Sequence, residues 1–289
     1  MIMDQAQRLR EFLQQKNNPK RTRVMAVASG KGGVGKSNFS ANFALSLTSL
    51  GQKVVIMDLD LGMANINILF GLTPRHHILD LMEKNLSIWD IMEPGPKGIQ
   101  YISGGSGFQD VFQLDEIRLT RILEQMEKLH GYADTILLDM GAGMSTDSLR
   151  FILAADEITL ITTPEPPAIT DAYSTLKILH GKNPSTPIKL LVNRVQSNQE
   201  GKQVAENIQL VAKKFLDYDV GIFGFLEEDN HILQAVKKQV PFYLEFPKSK
   251  AAKGLKAMAE GYLSGREFQV DEDSGMKGFI RKLLHFGRQ

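Results

Sequence analysis

Apolar residues along the chain follow two alternating patterns. Short, nearly continuous apolar runs, which are typical of buried strands, occupy residues 24–28, 53–60, 134–139, 158–162, 188–192 and 220–226. Between them lie stretches with helical spacing, the clearest from 38 to 50, where Phe39, Phe43, Leu47 and Leu50 share one face before Gly51. Buried strands that alternate with helices predict an α/β fold with a mostly parallel sheet and helices on both faces.

The segment from 61 to 133 is less regular, and we expect helices there around 78–82 and 118–130. Its histidines have no spacing that would make a metal site. Further along, the proline-rich loop 163–168 predicts a helix that starts near Thr170. Nothing in these stretches indicates a repeat or a second large domain.

The first apolar run is followed by a glycine-rich loop with the spacing Gly30, four residues, Gly35-Lys36-Ser37. Glycines let successive backbone N–H groups turn toward an anion, and the following helix adds the positive end of its dipole. The lysine reaches the outer phosphates, and the serine hydroxyl is a ligand for Mg²⁺. The pattern therefore predicts a site for ATP or ADP with Mg²⁺, lined by Gly30, Lys31, Gly32, Gly33, Val34, Gly35, Lys36, Ser37 and Asn38.

Carboxylates follow two other strands. Asp58 and Asp60 close the run 53–60, and Asp139, with Gly141 and Gly143 after it, closes the run 134–139. Ligands of open α/β sheets bind outside the carboxyl ends of the strands, so we expect these acids to face the phosphate loop. A solvated turn would also explain two acids at this spacing. This pattern predicts Ser37 and Asp139 as residues that hold Mg²⁺.

Composition removes several classes of protein. The chain has 289 residues, no cysteine and a net charge of +1, which excludes disulfides, thiolate metal sites and a strong general attraction to DNA. We find no apolar run of about 18 residues, the minimum for a membrane-spanning helix. We therefore expect a cytoplasmic protein.

Both ends of the chain differ from the middle. We expect residues 1–23 to form a short amphipathic arm and basic linker, 24–264 an ATPase domain, 265–274 a linker and 275–289 a basic amphipathic helix. The arm either folds back on its own domain or docks on a partner. The last helix either lies at an anionic membrane surface or packs on its own domain. Its apolar residues are Met276, Phe279, Ile280, Leu283, Leu284 and Phe286.

The loop, with its additional Lys31, resembles the deviant Walker A motif of the MinD/ParA family of P-loop ATPases. The stretch from Asp58 to Asn65 resembles that family's first switch, and the stretch around Asn193 and Arg194 resembles its adenine-binding segment. This resemblance implies an ATP-dependent homodimer in which Lys31 reaches the nucleotide of the other subunit. It also implies catalysis by Lys31, Lys36 and Asp60. It implies that Asp58 joins Ser37 and Asp139 in the metal site, and that Asn193 and Arg194 contact adenine. A loop lysine in solvent and a strand-terminal turn asparagine are the alternatives.

Two further resemblances concern the ends. The arm resembles the activator segment of the FlhG family of MinD-like flagellar number regulators, and the final helix resembles the membrane-targeting helix of MinD. The arm residues that carry the first resemblance are Asp4, Gln5, Ala6, Leu9 and Arg10. The resemblance of the arm implies action on an FlhF-type GTPase and contact with flagellar basal-body components. The resemblance of the final helix implies reversible residence at the inner face of the cell membrane. A division-site MinD, a ParA-type partition ATPase and a metabolic P-loop enzyme remain as alternatives.

Overall fold

A computed structural model of the chain describes residues 22–60, 65–104, 116–265 and 275–286. The predictions for the arm residues Asp4, Gln5, Ala6, Leu9 and Arg10 lie outside this part. Within it, eight strands form a single sheet in the order β3-β4-β2-β5-β1-β6-β7-β8. The strands are β1 (Arg23–Ala28), β2 (Val54–Leu59), β3 (Met92–Pro94), β4 (Gln100–Ser103), β5 (Thr135–Met140), β6 (Glu157–Thr162), β7 (Ile188–Val195) and β8 (Gly221–Glu227).

Helices cover both faces of the sheet. The first six are α1 (Lys36–Ser49), α2 (Ile66–Phe70), α3 (Asp80–Glu83), α4 (Ile88–Ile91), α5 (Glu116–Glu127) and α6 (Thr146–Ala154). The others are α7 (Pro166–Lys182), α8 (Asn198–Leu216), α9 (Asn230–Lys237), α10 (Phe242–Glu245), α11 (Lys250–Ser264) and α12 (Gly275–Phe286). One apolar layer joins the sheet to α1, α2, α9, α10 and α11, and the other joins it to α3 to α8 and α12. The expected fold class is confirmed.

Every neighbouring pair of strands is parallel except β3 and β4. The strands β1, β2, β5 and β6 are buried almost completely on both faces, which is why they read as unbroken apolar runs. Parallel pairing also brings their carboxyl ends to one edge of the sheet. The loops that follow β1, β2 and β5 therefore meet, and this edge carries the predicted site.

Four expectations about local structure were incomplete or wrong. The segment 61–133 contains β3 and β4, which the sequence did not indicate because they are only three and four residues long. The helix near 78–82 is α3, and the helix at 118–130 is α5, which ends at Glu127. The helix after the proline-rich loop begins at Pro166 instead of Thr170, because prolines are well tolerated in a first helical turn that needs no N–H donor.

The C-terminal helix α12 packs against α6, α5 and β1. Met276, Phe279 and Leu283 are buried beneath it, and the Phe279 ring lies 6.0 Å from that of Phe151 on α6. The backbone N–H of Gly275 donates to the Asp156 carboxylate over 2.7 Å. Of the two alternatives for this helix, the structure shows the one docked on its own domain. No helix among the described residues is long and apolar enough to cross a membrane.

Candidate nucleotide-binding site

The glycine-rich loop joins β1 to α1 and needs glycine at two positions for steric reasons. Gly30 lies so close to α7 that a β-carbon there would collide with the backbone carbonyl of Asp171. Gly35 has a φ of 98°, and a β-carbon there would collide with the Asn193 amide. Glycine tolerates both the positive φ and the close approach. The loop is therefore held between α7 on one side and the end of β7 on the other.

Lys36 begins α1 and is largely buried, with 7% of its surface exposed. Its ammonium group donates to the Ser29 hydroxyl over 2.9 Å. Burial lowers the pKa of Lys36, while the nearby Asp139 and Asp60 carboxylates partly offset that effect. The lysine is thus placed between the loop and two acids. A phosphate group bound there would stabilise the ammonium charge, which burial disfavours.

Asp58 and Asp139 lie side by side on the neighbouring strands β2 and β5, because the two residues are direct partners in the parallel register. Both are fully buried, and burial raises the pKa of each carboxyl, with the partner's charge adding to the effect on Asp58. The Ser40 hydroxyl donates to Asp139 Oδ1 over 2.7 Å, whereas Asp139 Oδ2 has no hydrogen-bond partner among the described residues. An unpaired buried carboxylate oxygen is what a metal ion or its bound water would satisfy.

Asp58 also organises the backbone that follows β2. Its two carboxylate oxygens accept the N–H groups of Asp60, Asn65 and Ile66 at 3.0 to 3.2 Å. These bonds lower the pKa of Asp58, opposing the effect of burial. Asp58 therefore holds the backbone at the end of β2 and at the start of α2. Its predicted contribution to Mg²⁺ binding stays a prediction.

Asp60 lies over the loop that follows β5. A β-carbon built on Gly141 would come 3.1 Å from Asp60 Oδ1, so the small residue leaves room for the carboxylate. The charge of Asp60 reaches both Lys36 and Asp139. Three strands thus deliver Lys36, Asp60 and Asp139 to one location, which is the arrangement that the sequence predicts.

Lys31 projects from the loop at the surface, with 40% of its side chain exposed. Its ammonium group lies 3.5 Å from Glu165 Oε2, just before α7. Pairs this exposed contribute about 1 kcal/mol at most, so the contact would not hold the lysine against a competing phosphate. Its predicted reach into a second subunit stays a prediction.

Asn193 and Arg194, the residues predicted for adenine, both hold the glycine-rich loop. The Asn193 amide donates to the Val34 carbonyl over 2.7 Å, and the Arg194 guanidinium donates to the Gly33 carbonyl over 2.9 Å. Arg194 does so from a φ of 57°, a strained conformation for a residue with a side chain. The end of β7 is therefore tied to the phosphate loop. Adenine contact by these residues stays a prediction.

The residues present fit a nucleotide with Mg²⁺. Such a group supplies a reactive phosphate and a divalent charge, and the chain offers a buried lysine, a glycine-rich loop and an unpaired carboxylate oxygen toward it. Three contributors were missed from the sequence: Ser29, Ser40 and Glu165. Ser40 was recoverable, since it lies one helical turn after Lys36 and so shares its face. Ser29 and Glu165 carry no comparable signal.

A glycine-rich loop between a strand and a helix, with acids on two neighbouring strand ends, defines the class of P-loop nucleoside triphosphatases. The ParA family model, described as "NUBPL iron-transfer P-loop NTPase", matches residues 20–262. Antiactivator FleN of Pseudomonas aeruginosa is 35% identical over 237 residues, which cover 82% of this chain and 85% of FleN. The flagellum site-determining protein YlxH of Helicobacter pylori is 30% identical over 292 residues, which cover 98% and 99% of the two chains.

Solved structures of other proteins share this fold. MinD from Pyrococcus horikoshii in complex with Mg-ADP superposes with a TM-score of 0.67 at 24% identity, over 86% of this chain and 100% of that one. A chain of the MinC:MinD complex of Aquifex aeolicus superposes with a TM-score of 0.67 at 23% identity, over 86% of this chain and 98% of that one. The chain belongs to the MinD/ParA family of P-loop ATPases and, within it, to the FlhG group that includes FleN and YlxH. It is therefore an ATP-hydrolysing enzyme.

Proposed function

We propose that this chain is a Mg-ATP-dependent switch that dimerises with ATP, binds the membrane through α12 and controls flagellar number or placement. The names of its relatives, an antiactivator and a flagellum site-determining protein, support the flagellar part of the proposal. The FlhF-type GTPase is the proposed target of the N-terminal arm, and flagellar basal-body proteins are further proposed partners. The organisation follows the four segments 1–23, 24–264, 265–274 and 275–289.

In this proposal each residue of the site has a defined role. Lys36 and the loop amides bind the phosphates, and Lys31 of each subunit leaves Glu165 to neutralise charge in the other subunit's site. Asp60 would orient the attacking water, and Ser37 and Asp139 would hold Mg²⁺. Asn193 and Arg194 keep the loop in shape while they contact the base. Hydrolysis then removes the phosphate on which the dimer depends, so turnover limits the lifetime of the dimer.

The main support for the proposed membrane binding comes from the position of α12. The face it buries against α5 and α6 contains Met276, Phe279, Ile280 and Leu283, four of the six residues predicted to enter the membrane. One apolar face cannot be in both places, so docking and membrane binding exclude each other. The receiving helix α6 begins at Thr146, directly after the loop that follows Asp139. A change in that loop on nucleotide exchange therefore has a short route to the docked helix.

Membrane affinity should also depend on dimerisation. One short amphipathic helix binds a membrane weakly, because few apolar residues must offset the cost of ordering it. Two helices held in one dimer bind as a linked pair, which can raise the overall affinity by about 10² to 10⁴ without a new contact. We therefore expect membrane residence only in the ATP-bound state.

Sedimentation with anionic liposomes tests this proposal. We expect the full chain to cosediment in Mg-ATP but not in Mg-ADP, and the protein lacking 275–289 to stay in solution while still dimerising. Equal liposome binding by the two proteins would refute the assignment of the tail. Binding in neither nucleotide, together with salt-sensitive retention on DNA, would instead favour a partition ATPase.

The role of the arm needs a separate measurement. GTP hydrolysis by an FlhF-type GTPase should rise on addition of the full chain and should not rise with a Leu9→Asp variant. An equal stimulation by both proteins would refute the proposed role of the arm. This result is independent of liposome binding, so the two halves of the proposal can fail separately.

A further inference from the structure

Strand β8 forms one edge of the sheet, and no described residue pairs with its outer side. The strand is apolar from Ile222 to Leu226 and carries no charge before Glu227. Ile222 is 41% exposed. Long, apolar and uncharged edges are usually covered by a helix or loop, because they otherwise pair with other chains. The β3 edge needs less protection, since β3 has three residues and ends in proline.

A groove of about 530 Å³ runs along this edge between β8 and α11. Phe223, Phe225 and Met258 give it apolar walls, and Tyr262 and Lys189 stand at one end. The Lys189 ammonium is already paired with Glu157 at 3.2 Å, and the lining exposes polar and apolar surface in similar amounts, as an amphipathic occupant requires. Its shape and chemistry suit a short segment with one apolar stripe.

The N-terminal arm enters the domain beside this groove. The guanidinium carbon of Arg23 lies 5.0 Å from the ring centre of Tyr262, which marks one end of the groove. The linker 16–21 can span about 20 Å when extended, enough to place the preceding residues along α11. The arm carries Leu9, Phe12 and Leu13 at helical spacing, which forms one apolar stripe.

We propose that the groove between β8 and α11 binds the N-terminal arm of the same chain. A tether this short gives the arm a local concentration of the order of millimolar, so it competes well with any free partner or second copy. The docked arm covers the exposed edge and keeps Leu9 away from other proteins. This inference does not depend on which protein the released arm acts upon.

Disulfide trapping tests the proposal directly, because the chain contains no cysteine. One cysteine replaces Gln14, next to the apolar stripe, and the second replaces Ala257, an exposed α11 residue in the groove. The control pair joins Gln14→Cys to Glu127→Cys. Glu127 is exposed at the end of α5, and the nearby Leu129 carbonyl accepts a hydrogen bond from Thr22. Both targets are therefore within reach of the arm, but only one lies in the groove.

Under mild oxidation we expect an intramolecular bond to form at least about tenfold faster in the Ala257 pair than in the Glu127 pair. Equal rates would overturn the proposal, and so would cross-links found only between two chains. A second variant, Ile222→Glu, should reduce the faster rate to that of the control pair. Its matched control is Leu210→Glu, at a 70% exposed position on α8 outside the groove, which should leave the rate unchanged. An equal effect of both substitutions would also overturn the proposal.

Discussion

Replacing Phe279 with alanine should release α12 from the ATPase domain. Phe279 is fully buried, and its ring lies 6.0 Å from Phe151. Removing a buried phenylalanine side chain costs about 3–5 kcal/mol. In the proposed exchange with the membrane α12 detaches while the sheet stays folded, so we expect this loss to fall on the docking equilibrium. At 1.36 kcal/mol for each factor of ten, the undocked population should rise by at least about 100-fold.

Leu284 on the same helix provides the matched control. It is 40% exposed in the docked state, so Leu284→Ala should cost about 1 kcal/mol or less and change the undocked population by less than about tenfold. Hydrogen exchange measured by mass spectrometry on residues 275–286 reports this population, with the β1 amides as an internal reference. Equal loss of protection in the two variants, or none in Phe279→Ala, would refute the docked arrangement.

Three further predictions concern the nucleotide site. Burial raises the pKa of Asp58 and Asp139, so the nucleotide-free protein should become more stable as the pH falls from 8 to 6, because the folded state then binds a proton that the unfolded state does not. Asp139→Asn should reduce this slope without abolishing it, because burial still raises the pKa of Asp58, and should raise the melting temperature at pH 8, measured in EDTA; an unchanged slope would argue against an interaction between the two carboxyls. Lys36→Gln should lower ATP affinity at least about 100-fold and abolish ATP-driven dimerisation, as checked by fluorescent-nucleotide titration and size-exclusion chromatography. Asp60→Ala should retain ATP binding yet trap the dimer on liposomes, and a variant that releases them as fast as the parent would contradict its catalytic role.

The fold was predictable because its central strands are buried on both faces and so leave a strong apolar signal. Strands β1, β2, β5, β6 and β8 were placed from such runs to within one residue of their ends, whereas β7 continues beyond its run, from Val192 to Val195. Short elements carry little signal, which is why β3 and β4 escaped notice. The start of α7 was misplaced for a different reason. Pro166 can either break a helix or begin one, and the sequence does not say which.

The site was predictable where the chemistry depends on a fixed spacing along the chain. The loop from Gly30 to Ser37 is such a case, and the acids Asp58, Asp60 and Asp139 follow from the rule that parallel strands end at one edge. Contacts between distant segments were not predictable. The bonds from Asn193 and Arg194 to the loop, and that from Lys31 to Glu165, depend on how β7 and α7 pack beside it. The docking of α12 was likewise an open alternative, because one apolar stripe suits either a membrane or a protein surface.

The carboxylate of Asp156 has a practical consequence for protein engineering. One of its oxygens accepts the N–H of Val24 and the other accepts the N–H of Gly275. Val24, where the ATPase core begins, and Gly275, where α12 begins, are therefore immediate neighbours. A purification tag or fluorescent protein joined directly before Val24 would therefore lie close to the start of α12. The same proximity makes the core a good candidate for circular permutation, with both appendages moved together or removed.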